Sequence, residues 1–443
     1  DSLSDALALR AGALNHGLAP RDSLLVTADS LFASLYSTIP RVDWAAIRRV
    51  HAVAQELTRR YPEDFESWYV LGEARYHWGS PVGGGPRQAL EAFDHAIAND
   101  SSFAPAYIHP IELALWLEGP VAAGQYTKGY LRLEPTDVSA SGIGLADRIM
   151  ESMRDRPTES TRLLQDASPS ALVDALAVFR RAADSTELGI EIARALAAAP
   201  AGDARWLTRT ERERRLGGIL LYRGHVREAV KILYQNPFSL PPHLVEAALL
   251  SAAPPDSAAS MFRAWFSNRP LAAAATTLPW WAARRDSVSI RAVQRRSDSV
   301  ALLSATSEVD RKLAKYTSEA TQAYLALVRH DTAIAIQRLE ALPDTLCPLC
   351  YFQRLILGQL LSARQEDQKA AKLLEPWLTE LLVPSEILWT LERARVAERL
   401  GDREKAAHNY QYVADIWRHA DPELQAYVTE AREGLTRVVG EPR

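Results

Sequence analysis

An all-α chain of antiparallel helix pairs, stacked as one right-handed superhelical solenoid, is the fold this sequence predicts. Three observations predict it. Apolar residues recur at helical rather than alternating spacing along the 443 residues. Proline and glycine breaks return about every helix length. Between Trp68 and Pro135, small and large residues keep a fixed order: Trp68, Leu71, Gly72, then Ala89, Phe93 and Ala96, followed by Tyr107, Ala114, Ala123, Tyr130 and Pro135. Each small residue falls where two antiparallel helices must approach closely, and each large one fills the space between neighbouring pairs. The expected division is 1–135 for the N-terminal helices and the clear repeats, 136–306 for divergent helix pairs, and 307–443 for C-terminal repeats and a capping helix, all in one continuous array.

The first sixty residues read as three helices. DSLSDALALRAGAL stops at Gly17 and Pro20, and RDSLLVTADSLFASLY runs to Pro40. A third starts behind Asp43 as N-cap, sets Trp44, Ile47 and Leu57 on one face, and ends at Pro62. Residues 136–215 keep the helical period without the repeat order, broken at Pro157, Pro169 and Pro200. The order returns at Leu216, Gly217, Gly224 and Ala229, after which Pro237, Pro241, Pro242, Pro254 and Pro255 mark shorter helices. Beyond Thr306 come a turn at His330-Asp331, then Leu357, Gly358, Leu361, Ala370 and Leu374 in register, then Gly401, Asp402, Ala406 and Tyr410. A last helix has Asp421 at its cap, Pro422 at its first position and Gly440 past its end, and suits a solvent-facing terminal cap.

The order W, L-G, then A, F, A is that of a tetratricopeptide repeat. The chain resembles the tetratricopeptide-repeat segment of certain large bacterial signalling proteins. The pieces that carry the resemblance are GLAPRDSLLVTADSLFA, YPEDFESWYVLGEARYHWG, EAFDHAIANDSSFAPAYIH, TLPWWAARRD and ADIWRHADPELQAYVTEAREGL. In such proteins the repeats follow a serine/threonine kinase or a winged-helix or transcriptional-activator domain, commonly across one membrane helix. The resemblance implies a sensory or scaffold domain outside the cytoplasmic membrane, the cytoplasm being the alternative. A secreted structural subunit, assembled with copies of itself or into a larger surface complex, is the second function class. The start at Asp1 suits either a processed chain or a piece of a longer one.

Composition excludes several functions. With 47% hydrophobic and 24% charged residues this is a folded chain, and a net charge of −4 argues against a nucleic-acid partner. No run of eighteen apolar residues occurs, so no membrane span is expected. VGGGPR at 82–87 lacks the Lys-Ser/Thr of a phosphate loop and reads as a plain connection between repeat helices. No HExxH or GxSxG pattern appears, so no catalytic residue is expected. The ten histidines are dispersed, with His77, His95, His225 and His330 near helix ends where capping or solvation is the ordinary explanation; no metal ligands and no cofactor are expected. Cys347 and Cys350, the two cysteines, lack the other ligands of a zinc site and the preceding strand of a redox motif. They read as a small disulfide at a helix start or as two buried thiols; export, which the resemblance implies, favours the disulfide.

Binding in such repeats normally uses the concave face, lined by the first helix of each pair. Counted from Trp68, the inward positions are Tyr69, Glu73, Tyr76 and His77; counted from Tyr107, they are Ile108, Glu112 and Trp116. This register stacks Glu over Glu and His over Trp, an acidic stripe beside an aromatic platform that favours a cationic or amide-rich protein or peptide; the alternative is that Tyr76 and Trp116 pack between repeats and the Glu residues are solvated. Self-association is the other partner class. Trp280 and Trp281 form a second candidate. Adjacent helical side chains point about 100° apart, so either one indole stays exposed as a docking anchor or both pack between helices at a bend.

Overall fold

The computed structural model describes residues 2–37, 44–79, 84–155, 157–183, 187–200, 202–204, 206–303, 306–343, 350–379 and 381–440. Among the described residues every regular element is a helix. Two compact units divide the chain, one of residues 1–182 with 198–205, the other of 183–197 with 206–443.

The first unit runs α1 (Ser2–Ala13), α2 (Pro20–Ser37), α3 (Trp44–Arg60), α4 (Phe65–Trp78), α5 (Pro86–Asn99), α6 (Pro105–Leu117), α7 (Pro120–Leu131), α8 (Ala140–Asp155), α9 (Pro157–Asp166) and α10 (Pro169–Phe179). Consecutive helices pack on one another from α1 to α9, and α10 departs from that order by packing on α8 and returning to α6. The core lies between successive helices, with Leu35, Ile47, Val50, Leu57 and Leu71 buried together. The repeat order has its physical cause at Gly72: a Cβ there would lie 2.6 Å from the Phe93 ring, so only hydrogen lets α4 and α5 close up. Trp68 stacks on His95 at 4.1 Å and its Nε1 donates to the Pro62 carbonyl at 2.7 Å. Asp43, expected as the cap of α3, and residues 82–83 of the Gly-rich connection lie outside the described residues.

The second unit runs α11 (Leu188–Ala198), α12 (Arg209–Tyr222), α13 (Val226–Leu233), α14 (Pro241–Leu249), α15 (Pro255–Asn268), α16 (Leu271–Thr276), α17 (Leu278–Ala283), α18 (Ser287–Leu302), α19 (Glu308–Val328), α20 (Thr332–Glu340), α21 (Tyr351–Ala363), α22 (Asp367–Leu374), α23 (Pro384–Arg399), α24 (Arg403–Ile416), a 3-10 turn (Pro422–Leu424) and α25 (Gln425–Val439). Five of its helix hairpins share one turn design. A residue with positive φ (Gly224, Arg285, His330, Gln365 or Gly401) ends the first helix. The N–H of the next residue then bonds back to a carbonyl of the last turn, as in Asp331 to Ala326 and Asp402 to Ala397, both at 2.9 Å. In three of these turns that same residue caps the following helix: the carboxylates of Asp286, Asp331 and Asp402 accept from the N–H of Ser289, Ile334 and Lys405. One residue thus closes one helix and opens the next, which forces the pair antiparallel. The predicted all-α array of tetratricopeptide-like helix pairs is what forms.

Asp421 departs from its expected role. Its carboxylate accepts from the Arg227 N–H at 2.9 Å, capping α13, and the turn Pro422–Leu424 stands between it and α25. The reason is that α24 ends against α12: the Trp417 indole donates to the Tyr222 carbonyl at 2.9 Å, and the Tyr222 and Tyr412 hydroxyls meet at 2.9 Å. The last helices of this unit are thereby bonded to its first pair, and their turn is not a free solvent-facing end.

Trp280 and Trp281 are both buried, 3% and 1% exposed, so neither is a docking anchor. α17 is a short helix packed on α14, α18 and α19, so both directions lead into protein. The indoles meet edge-on at 4.6 Å beside Phe262, and Trp281 Nε1 donates to Thr277 Oγ1 at 2.9 Å. Arg263 and Arg284 lie over the two rings at 5.2 and 5.4 Å, where indole faces attract guanidinium. Cys350, at the start of α21, is disulfide-bonded; Cys347 lies outside the described residues.

Candidate functional site

The predicted groove residues do converge on α4 and α6, but in a different register. Asp64 sets the start of α4, its carboxylate accepting from the N–H and the hydroxyl of Ser67 at 2.9 and 2.6 Å. α6 opens on Pro105, whose fixed φ suits a first helical position. Residues 36 apart then face each other: Glu73 meets His109, and Tyr76 meets Glu112. The expected stacking of Glu73 over Glu112 and His77 over Trp116 needs a spacing of 39. The difference is close to one helical turn.

Glu112 is not a solvated acid. It is 4% exposed and hydrogen-bonded on all sides. Arg180 donates to Oε1 from Nε at 2.7 Å and to Oε2 from Nη2 at 3.0 Å, Arg181 reaches Oε1 at 3.4 Å, and the Tyr76 hydroxyl donates to Oε2. Both arginines leave the C-terminal end of α10, where positive charge is favoured by the helix dipole and where the return of α10 brings them onto α6. Burial pushes the Glu112 carboxyl up, but the two guanidinium groups and Tyr76 outweigh it and hold it below the usual carboxylate range. Burial, with the Glu112 charge, raises the Tyr76 phenol well above its ordinary value. Arg181, 1% exposed, also lies over the Trp116 ring at 5.3 Å. One carboxylate facing two arginines leaves no acidic stripe at this end of the groove.

One turn earlier lies a second cluster. His77 follows Glu73 by one turn on α4, and His109 enters from α6. Glu73 Oε1 is 3.3 Å from His109 Nε2, and Oε2 is 3.5 Å from His77 Nε2. Both contacts are longer than the roughly 2.7–2.9 Å of a charge-assisted hydrogen bond. Oε1 is buried and accepts no well-formed hydrogen bond. Burial pushes the Glu73 carboxyl up, and the imidazoles outweigh it and hold it well below the usual range. Burial and the Glu73 charge together raise the Tyr69 phenol. Aromatic rings fix both imidazoles: Tyr76 stacks on His109 at 3.8 Å, and Tyr36 and Tyr76 stand edge-on to His77 at 5.7 and 4.8 Å. His77 is therefore neither a cap nor a solvated end residue. His109, Arg180 and Arg181 are the site residues that the sequence reading missed. Tyr69, Ile108 and Trp116 are half-buried at the face, whereas Tyr76 and Glu112 lie behind it.

No family model matches the chain, and no curated protein does. Among solved structures, the TPR domain of P58(IPK) aligns with 96% of this chain and 100% of its own, at 13% identity and a TM-score of 0.25. A chain of the Naa15/Naa10 complex bound to HypK-THB aligns over 98% of this chain and 78% of its own, at 12% identity and a TM-score of 0.24. At this similarity neither protein's partners nor its residues transfer. The helix pairing defines an all-α, tetratricopeptide-like helix-repeat fold. No described helix is long and apolar enough to cross a membrane.

Proposed function

We propose that the chain is a non-catalytic recognition module that holds a protein or peptide segment against α4 and α6 of the first unit. One observation carries this. Tyr69, His77, His109 and Trp116 stay partly exposed on two neighbouring helices, while Tyr76, Glu112 and Arg181 behind them are locked in place. Half-exposed aromatic groups on a rigid frame are what a binding hot spot needs. The Arg180 side chain, 28% exposed, adds positive potential, so the partner is a segment with aromatic and amide or acidic groups rather than a cationic one. A displayed peptide library selected on the full chain provides the ligand for a titration. Tyr69→Ala and Trp116→Ala are each expected to weaken the selected peptide at least about tenfold, the equivalent of about 1.4 kcal/mol, with melting temperature measured alongside because both rings also pack on the Tyr76, Phe93 and Leu113 cluster. Wild-type affinity in both variants at unchanged melting temperature would place the binding surface elsewhere.

The module is, in this reading, the extracytoplasmic sensory part of a bacterial signalling protein. Its support is the family resemblance and the oxidised Cys350, since disulfides persist in oxidising compartments. Protein taken from its native source, unfolded and alkylated without reductant, is expected to gain no alkyl groups by intact mass. Two adducts would count against export.

A further inference from the structure

We propose that Glu73, His77 and His109 form a binding site for a divalent transition-metal ion of the zinc class. One ligand atom from each of the three lies within 4.8 Å of the other two. Two atoms each about 2.0–2.1 Å from an ion at the tetrahedral angle are about 3.3 Å apart. The Glu73 Oε1 to His109 Nε2 separation, 3.3 Å, sits at that edge length, while His77 Nε2 lies 3.5 Å from the other carboxylate oxygen, Oε2, so an ion would be held through one oxygen or bridged by both. Glu73 Oε1 is buried without a hydrogen bond, a lone pair that the protein's own donors leave unsatisfied and that a cation would fill.

The donor set selects the metal. Two imidazoles and one carboxylate suit zinc, cobalt, nickel or copper, whereas magnesium and calcium prefer oxygen alone. Glu73 and His77, four residues apart, present adjacent donors from one helix face, and His109 closes the triangle from the next pair. The stacking of Tyr76 on His109 and the edge-on rings of Tyr36 and Tyr76 against His77 hold both ligands before any ion arrives. The Tyr69 hydroxyl beside the Glu73 carboxylate is an outer-shell partner of the kind that orients a metal-binding acid. Three protein ligands leave a fourth position. The Glu73, His109 and His77 side chains are 16, 23 and 27% exposed, so that position is reached from solvent along the groove. A water molecule or an anionic group of a bound partner would take it.

The test uses metal alone, so it stands or falls apart from the peptide reading. Zn²⁺ is titrated calorimetrically into the full metal-free chain with its disulfide intact, and Co²⁺ serves as a spectroscopic probe. One ion per chain is expected, with the visible absorption of four-coordinate cobalt displaced by zinc and no competition from Mg²⁺. His77→Ala and His109→Ala are expected to abolish saturable binding. Glu73→Gln, which keeps the shape, is expected to weaken it beyond the roughly 10–100-fold that loss of an outer-shell partner costs. His95→Ala, which removes the ring stacked on Trp68 in the same unit, is expected to bind as wild type. Absence of saturable Zn²⁺ binding, or binding that survives His109→Ala, overturns the proposal. If either His variant fails to fold, Glu73→Gln alone decides it, and wild-type affinity there overturns the site.

Discussion

Glu112→Gln is expected to lower the melting temperature of the first unit by roughly 10 °C. The substitution keeps the shape of the side chain and removes its charge, leaving Arg181 buried and Arg180 half-buried beside a neutral amide. Removing one partner of a buried ion pair costs about 3–5 kcal/mol. For a unit of this size, about 2–4 °C accompanies each kcal/mol. Scanning calorimetry of the full chain measures the shift, and a change below about 2 °C would remove the pair from any account of stability. The acid limb follows from the same contacts. A carboxyl whose folded pKa lies below the unfolded 4.5 contributes stability that is fully present above 4.5 and lost as pH falls through the folded value.

In the second unit, Glu246→Gln is expected to make stability rise by about 3 kcal/mol between pH 4 and 6.5, relative to the wild-type curve. Burial pushes the Glu246 carboxyl up to about 7, with Ser385 and Tyr351 offsetting part of the rise; the Tyr351 hydroxyl donates to it at 2.5 Å. Three residues earlier on α14, burial pushes His243 down to about 4, and its Nε2 lies 3.0 Å from the Leu381 carbonyl oxygen. Between pH 4.5 and 7 the folded state holds a proton on Glu246 that the unfolded chain has released, so stability falls as pH rises. Between pH 4 and 6.5 the unfolded chain holds a proton on His243 that the folded state lacks, so stability rises. The two slopes cancel where they overlap. Each shift spans 2.5 pH units, and one unit corresponds to about 1.36 kcal/mol. His243→Gln exposes the opposite slope, a fall of similar size from pH 4.5 to 7. Urea unfolding in half-unit pH steps, followed by tryptophan fluorescence, reads all three curves; variant curves parallel to wild type would refute both assignments.

Local features were legible in the sequence. Gly72 beside Phe93, Gly224, Gly401, and the turn at His330-Asp331 stand where residue order alone puts them, because each depends on neighbours within one helix pair. The facing of α4 and α6 depends on how two pairs cross, and counting from the aromatic anchors Trp68 and Tyr107 missed it by a turn. Arg180 and Arg181 act 68 and 69 residues from Glu112, through a helix that leaves the sequential packing order. Nothing in the local pattern marks such a return. The histidines looked dispersed because His77 and His109 are 32 residues apart in the chain and meet only after two helix pairs have packed. The two tryptophans left two outcomes open for a related reason: the 100° rule fixes their directions, but not that protein lies along both.

The bonds from Trp417 and Tyr412 to Tyr222 have a kinetic consequence. A linear repeat array folds by propagation, each pair responding only to its neighbours. In the second unit the pairs at the two ends bond to each other across 195 and 190 residues of chain. Those bonds form only after the intervening helices are ordered, so a long loop-closure entropy falls on the late part of folding and slows it. The same closure removes the frayed ends at which a repeat array ordinarily begins to open. Losing the last helix pair would release the first, and the unit is expected to unfold as one cooperative block rather than pair by pair.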